Sequence, residues 1–99
     1  MNLIFEWDEN KARMNVQKHK VAFDEARTLF NDPRLVTYLD ESHSEVEERY
    51  ISIGTSARDR VLLVVHTEQE ETRDTFTIRL ISCRRATASE RQAYEEGNA

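Results

Sequence analysis

The sequence predicts an α+β fold in which an antiparallel sheet of about four or five strands packs against two N-terminal helices and a C-terminal helix. Three observations lead there. Two helix-forming segments with caps lie near the N-terminus, a run of β-prone segments separated by short polar turns fills the middle, and a capping-box spacing opens the last stretch. Consecutive strands joined by short turns imply an antiparallel meander. Helices that carry an apolar stripe must bury it against a sheet face. The predicted order is β-α-α-β-β-β-β-α.

Leu3-Ile4-Phe5-Glu6-Trp7 is short, apolar and aromatic, and reads as the first strand. Asp8 offers an N-cap for a helix from about Glu9 to Lys18, with acids in its first turn and bases in its last. His19-Lys20 separates it from a second helix, in which Ala22/Phe23, Ala26, Leu29 and Phe30 make one apolar stripe. Asn31-Asp32-Pro33 stops that helix, because proline disfavours helix in the residue before it. Leu35–Leu39 is β-prone and is followed by an acidic loop, Asp40–Glu47. Arg49–Gly54 reads as a strand and Thr55–Asp59 as a polar turn. The unbroken apolar run Val61–Thr67 predicts a central strand buried on both faces. Gln69–Asp74 reads as a charged turn, and Thr75–Ser82 as the last strand. Thr87-Ala88-Ser89-Glu90 has capping-box spacing, so a helix is expected from about Ala88 to Glu96, with Gly97 as its C′ residue.

The 99 residues suit one domain, residues 1–99, with a thin core. No apolar run approaches the roughly 20 residues that span a bilayer, and the N-terminus lacks the pattern of a signal peptide. The lone Cys83 excludes an intrachain disulfide. A cytoplasmic location and no membrane association are therefore expected. The net charge of −5 speaks against a generally basic nucleic-acid binder. The charges are nevertheless segregated: acids gather at Asp40–Glu48, Glu68–Glu71 and Glu95-Glu96, bases at Lys11–Lys20 and Arg79–Arg91. A local patch, not the total, governs contact with phosphate.

With only two glycines there is no phosphate-cradling loop, and one cysteine with three dispersed histidines makes a poor metal set. No metal site and no cofactor are expected. What remains are bases near element ends. Lys18-His19-Lys20 sits where cations complement a helix dipole, whether or not it does chemistry. His66 lies within the most apolar strand, as a hydrogen-bonded core histidine or a functional one. Arg79 interrupts an apolar strand, opposite in parity to Ile78 and Leu80, and faces either solvent or a cleft. Arg84-Arg85 is either a salt-bridged pair, with Glu90 as one acid, or a phosphate clamp.

Metal-free RNA cleavage needs a base for the ribose 2′-OH, cations for the phosphorane charge and an acid for the leaving 5′-oxygen. Arginine suits the second task through its bidentate fork. Histidine, or a lysine of lowered pKa, suits the first or third. Trp7 or Tyr38 could stack on unpaired bases.

The pieces become specific in combination. Phe5-Glu6-Trp7-Asp8, Lys11, Asn15, Lys18-His19, Phe23, Glu25-Ala26, Phe30 and Asp32-Pro33 are followed by Glu48-Arg49, Ile53-Gly54 and Val65-His66-Thr67. Ile78–Thr87, Glu90 and Tyr94 close the series. In this order and spacing, from about Ile4 to Glu96, the chain resembles the BrnT family, with Cys83 standing where an alanine is expected. The resemblance implies a RelE-like fold and a metal-independent endoribonuclease toxin of a type II toxin–antitoxin system that blocks translation. It also implies a BrnA-type antitoxin that neutralises the toxin and meets DNA on its behalf, with a homodimer or a heterotetramer as the assembly. Carried over by position, the catalytic candidates are Lys18, His19, Arg79, Arg84 and Arg85, and the RNA-binding candidates Arg60, His66, Lys11 and Lys20. His19 or Lys18 would move protons and the arginines would hold phosphate. The alternative is a toxin-like protein of little catalytic power that acts by binding its antitoxin and regulating the operon.

Overall fold

The computed structural model describes residues 1–43 and 47–97. In chain order its elements are β1 (Asn2–Glu6), α1 (Glu9–His19), α2 (Phe23–Ala26), a 3-10 helix (Arg27–Asn31) and β2 (Val36–Leu39). A short 3-10 turn (Glu41–His43), β3 (Tyr50–Thr55), β4 (Val61–Thr72), β5 (Thr75–Arg85) and α3 (Ala88–Glu95) follow. Part of the expected acidic loop, residues 44–46, lies outside the described residues.

The strands form one sheet in the order β1-β5-β4-β3-β2. From β2 to β5 it is the expected antiparallel meander. β1 joins the outer side of β5 in parallel, Asn2 opposite Thr75 and Glu6 opposite Arg79. No turn connects these two strands, so nothing local in the sequence signals their pairing. β4 is central, and Leu62, Leu63 and Val64 are all buried there, which is why this run shows no polar alternation.

Each sheet face has its own cover. On one, Val21, Phe23, Ala26 and Leu29 pack on Leu62, Val64, Ile78, Leu80 and Cys83. On the other, Tyr94 of α3 packs with Ile53 and Leu63. Asp8 starts α1 by accepting from the Asn10 amide at 3.2 Å. Lys20 ends it in the left-handed region (φ 61°), its amide returning to the Val16 carbonyl. The expected second helix is real but tightens after one turn. The Thr28 hydroxyl donates to the Glu25 carbonyl at 2.6 Å and accepts from the Ala57 amide at 2.9 Å. Such back-bonding competes with the helical ladder.

The predicted charged turn shrinks to Arg73-Asp74, because strand pairing continues through Gln69–Thr77 and Glu70–Phe76 to Thr72–Thr75. The α3 capping box forms in both directions: Glu90 Oε1 accepts from the Thr87 amide at 2.8 Å, and Thr87 Oγ1 from the Glu90 amide at 3.2 Å. Asp32 ties α3 to the rest of the fold. Its Oδ2 accepts from the Thr55 amide at 2.8 Å and from the Tyr94 hydroxyl. Gly54 packs closely beneath this junction: a Cβ there would lie 2.9 Å from Leu35 Cδ1 and 3.2 Å from Asp32 Oδ2, so both side chains would have to shift.

Candidate active site

Arg79, Ser82 and Arg84 lie on one face of β5, although their spacing forbids it in a regular strand. Their cross-strand partners are Thr67, Val65 and Leu63, which alternate along a single face of β4. Ile81 makes this possible. Leu80 pairs with His66 and Ser82 with Val65, so Ile81 is the extra residue of a β-bulge, and the bulge resets the parity. α3 covers only part of this face, around Ile53 and Leu63. Tyr38, opposite Ile51 on β2, is exposed on the same face. Burial and the Glu90 charge both push the Tyr38 phenol up, with Arg84 opposing.

Ser82 also lines a groove between α1 and β5, together with Ile81, Lys11, Met14, Lys18 and His19. The groove holds about 480 Å³. Lys11, Lys18 and His19 recur at helical spacing, so one flank of α1 presents all three to it. The structure thus brings Lys11, Lys18 and His19 beside the strand that carries Arg79 and Arg84. Lys18 and Arg79 are exposed, and His19 is half-buried.

Arg84 is engaged already: Nη1 and Nη2 donate to the two Glu90 carboxylate oxygens at 2.8 and 3.0 Å. The salt-bridged reading of this arginine is therefore real. Arg84 drives the Glu90 carboxyl down to about 2, with the Thr87 amide helping against burial.

Four sequence candidates fall elsewhere. His66 is fully buried under the helices, edge-on to Phe30 and stacked on Tyr50, with Nε2 2.7 Å from Ser52 Oγ. Burial holds its imidazole down at about 4. This corrects the expectation that His66 contacts RNA: its strand position turns it inward, where the apolar cover excludes any ligand. Arg60 donates Nε to Glu25 Oε2 at 2.9 Å and Nη2 to Oε1, and its side chain is only 19 % exposed. Its fork is spent on a buried carboxylate that also accepts from Ser56 at 2.7 Å. Arg85, paired with Leu62, points to the opposite face from Arg84 and lines a separate recess with Asp59, Arg60, Arg91 and Glu95. Lys20 is exposed, and its Nζ caps α1 by donating to the Gln17 carbonyl at 3.1 Å.

One residue that links the two halves of the site had no assigned role in the sequence: Asn15, buried, bonded through its side chain to the Cys83 backbone. A polar residue in the helix stripe position beside Ala12 was the available signal. Among the described residues, no three His, Cys, Asp or Glu side chains are grouped to hold a metal ion, and no helix is long and apolar enough to cross a membrane.

Comparison with known proteins bears on the fold and the family. No curated protein matches the chain. The crystal structure of the Brucella abortus ribonuclease toxin BrnT superposes with a TM-score of 0.59 at 19 % identity, over 88 % of this chain and 99 % of that one. That likeness shows the fold. The family model described as "Ribonuclease toxin, BrnT, of type II toxin-antitoxin system" matches residues 7–90. The chain belongs to the BrnT family of ribonuclease toxins of type II toxin–antitoxin systems.

Proposed function

We propose that the protein is a metal-independent endoribonuclease that halts translation by cutting RNA on the half-open sheet face beside α1. The observation that carries this reading is the bulge at Ile81, which sets Arg79 and Arg84 on one face next to the groove lined by Lys18 and His19. On this reading the arginines hold the scissile phosphate and its developing charge, where two or more fixed cations do the work of charge neutralisation. His19 and Lys18 divide the proton transfers from the 2′-OH and to the 5′-oxygen, histidine being the side chain that exchanges protons near neutral pH. Tyr38 offers a ring on which an unpaired base stacks. Lys11 extends the cationic path along α1 for the backbone of the strand.

The family's toxin–antitoxin setting supports a BrnA-type antitoxin as partner, whose binding would cover this basic surface and reach DNA for the pair. A cytoplasmic site of action follows from an RNA substrate in translation. The test is induced expression in bacteria: wild type should arrest growth and lose cellular RNA integrity, and His19→Ala and Arg79→Ala should not. A folded wild-type protein that leaves growth and RNA intact would sink the proposal. A second reading, a toxin-like protein that chiefly binds its antitoxin, is favoured by the neutralisation of Arg84 by Glu90; it predicts tight complex formation without cleavage.

A further inference from the structure

β1 ends at Glu6, opposite Arg79, so β5 continues past that point with no strand on its outer side. Asn15 takes the missing strand's place. Its Oδ1 accepts from the Cys83 amide at 3.0 Å, and its Nδ2 donates to the Cys83 carbonyl at 2.8 Å. The remaining Nδ2 hydrogen goes to the Val21 carbonyl at 2.9 Å. A carboxamide carries the same donor and acceptor as a peptide unit, so one side chain satisfies both backbone groups of a residue that a neighbouring strand would otherwise pair.

The position of this clamp matters more than its strength. Cys83 lies two residues beyond the bulged Ile81, between Ser82 and Arg84. Asn15, Lys18 and His19 stand at i, i+3 and i+4 on α1, hence on one helix flank. The two bonds to Cys83 therefore tie the stretch of β5 that carries Arg84 to the helix flank that carries Lys18 and His19. The third holds the connection to α2 at Val21.

We infer that Asn15 is a positioning residue for RNA cleavage, setting Lys18 and His19 at a fixed distance from Arg79 and Arg84; this rests on the ribonuclease reading above. Asn15 lies in the wall of the groove, but its carboxamide is taken up by Cys83 and Val21, so it acts through the groups it positions. Misplacement of reacting groups by about 1 Å costs roughly 100-fold in rate, so its removal should lower kcat and leave KM, set by the exposed cations, little changed.

The experiment compares Asn15→Ala and the isosteric Asn15→Asp with Leu29→Ala, a core variant remote from the groove that also loses stability. Cleavage of a single-stranded RNA is followed at a temperature where every variant is folded by circular dichroism. We expect kcat to fall about 30- to 100-fold in both Asn15 variants with KM within about threefold, and Leu29→Ala to keep the wild-type kcat. Asn15→Asp retains an acceptor for the Cys83 amide, so it serves alone if Asn15→Ala does not fold. Wild-type kcat in a folded Asn15 variant, or an equal kcat loss in Leu29→Ala, overturns the inference. An inactive wild type overturns the ribonuclease reading itself, and this inference with it.

Discussion

The guanidinium of Arg84 and the carboxylate of Glu90 meet fork to fork, at 2.8 and 3.0 Å, across the junction between β5 and α3. The pair joins a proposed phosphate-binding residue to the residue that caps α3. While it holds, Glu90 competes with phosphate for Arg84. Glu90→Gln should keep the capping box, since glutamine serves at that position, and release the arginine's charge. RNA affinity should rise a few-fold at low salt, measured by fluorescence anisotropy, while stability drops by about 1 kcal/mol, as expected for a part-exposed charged hydrogen-bonded pair. Unchanged affinity would place the RNA elsewhere.

His66 makes the fold acid-sensitive. Its ordinary value near 6.5 in the unfolded chain falls to about 4 in the fold, because burial disfavours the cation. The unfolded chain thus binds a proton through this window while the folded one does not. Stability is complete above pH 6.5 and falls as the pH drops toward 4, by about 3 kcal/mol for a shift of this size. Urea midpoints taken between pH 7 and pH 4.5 should show the decline before most carboxylates titrate. His66→Gln, which keeps a partner for Ser52, should flatten it; a wild type with no decline would contradict the burial argument.

Arg60 and Glu25 form a largely enclosed ion pair, their side chains 19 % and 6 % exposed. Arg60→Met strands a buried carboxylate and should cost about 3 kcal/mol in a denaturation series, whereas the double variant with Glu25→Gln should recover much of it. Both folded variants should bind RNA as wild type does. A specific loss of RNA binding in Arg60→Met would restore the expectation that this arginine touches substrate.

Cys83 reports on unfolding. It is fully buried, and burial pushes its thiol up to about 12, so almost no thiolate exists at neutral pH. Alkylation should proceed only through global opening, and its rate should rise in step with denaturant-induced unfolding. Fast labelling of the native protein would contradict the packing around Asn15 and β5.

Much of this architecture was legible in the sequence, and the exceptions have definite causes. Helix caps at Asp8 and Thr87, the apolar run of β4 and the stop at Pro33 are local signals that the structure bears out, whereas the polar run Gln69–Thr72 pairs as strand against the local expectation of a turn. The parallel pairing of β1 with β5 is set by tertiary packing across most of the chain's length, so no turn announces it. The bulge at Ile81 is the sharper case. Strict alternation puts Arg79 and Arg84 on opposite faces, and nothing in Leu80-Ile81-Ser82 declares an extra residue. The site therefore existed in the sequence as scattered cations, and the fold supplies the parity change that assembles some of them. It also withdraws His66, whose strand position between apolar neighbours turns inward, and Arg60, which a buried glutamate claims.

The central claim is that the α1 groove and the Arg79–Arg84 face form one ribonuclease centre. Its most direct test is the single-turnover cleavage of single-stranded RNA by purified protein in excess chelator. Wild type should cleave, and His19→Ala and Arg79→Ala, though folded, should each be slower by about 100-fold, the scale of one lost proton-transfer or charge-stabilising group. Cleavage that stops in chelator, or that proceeds at the wild-type rate in both variants, would contradict it.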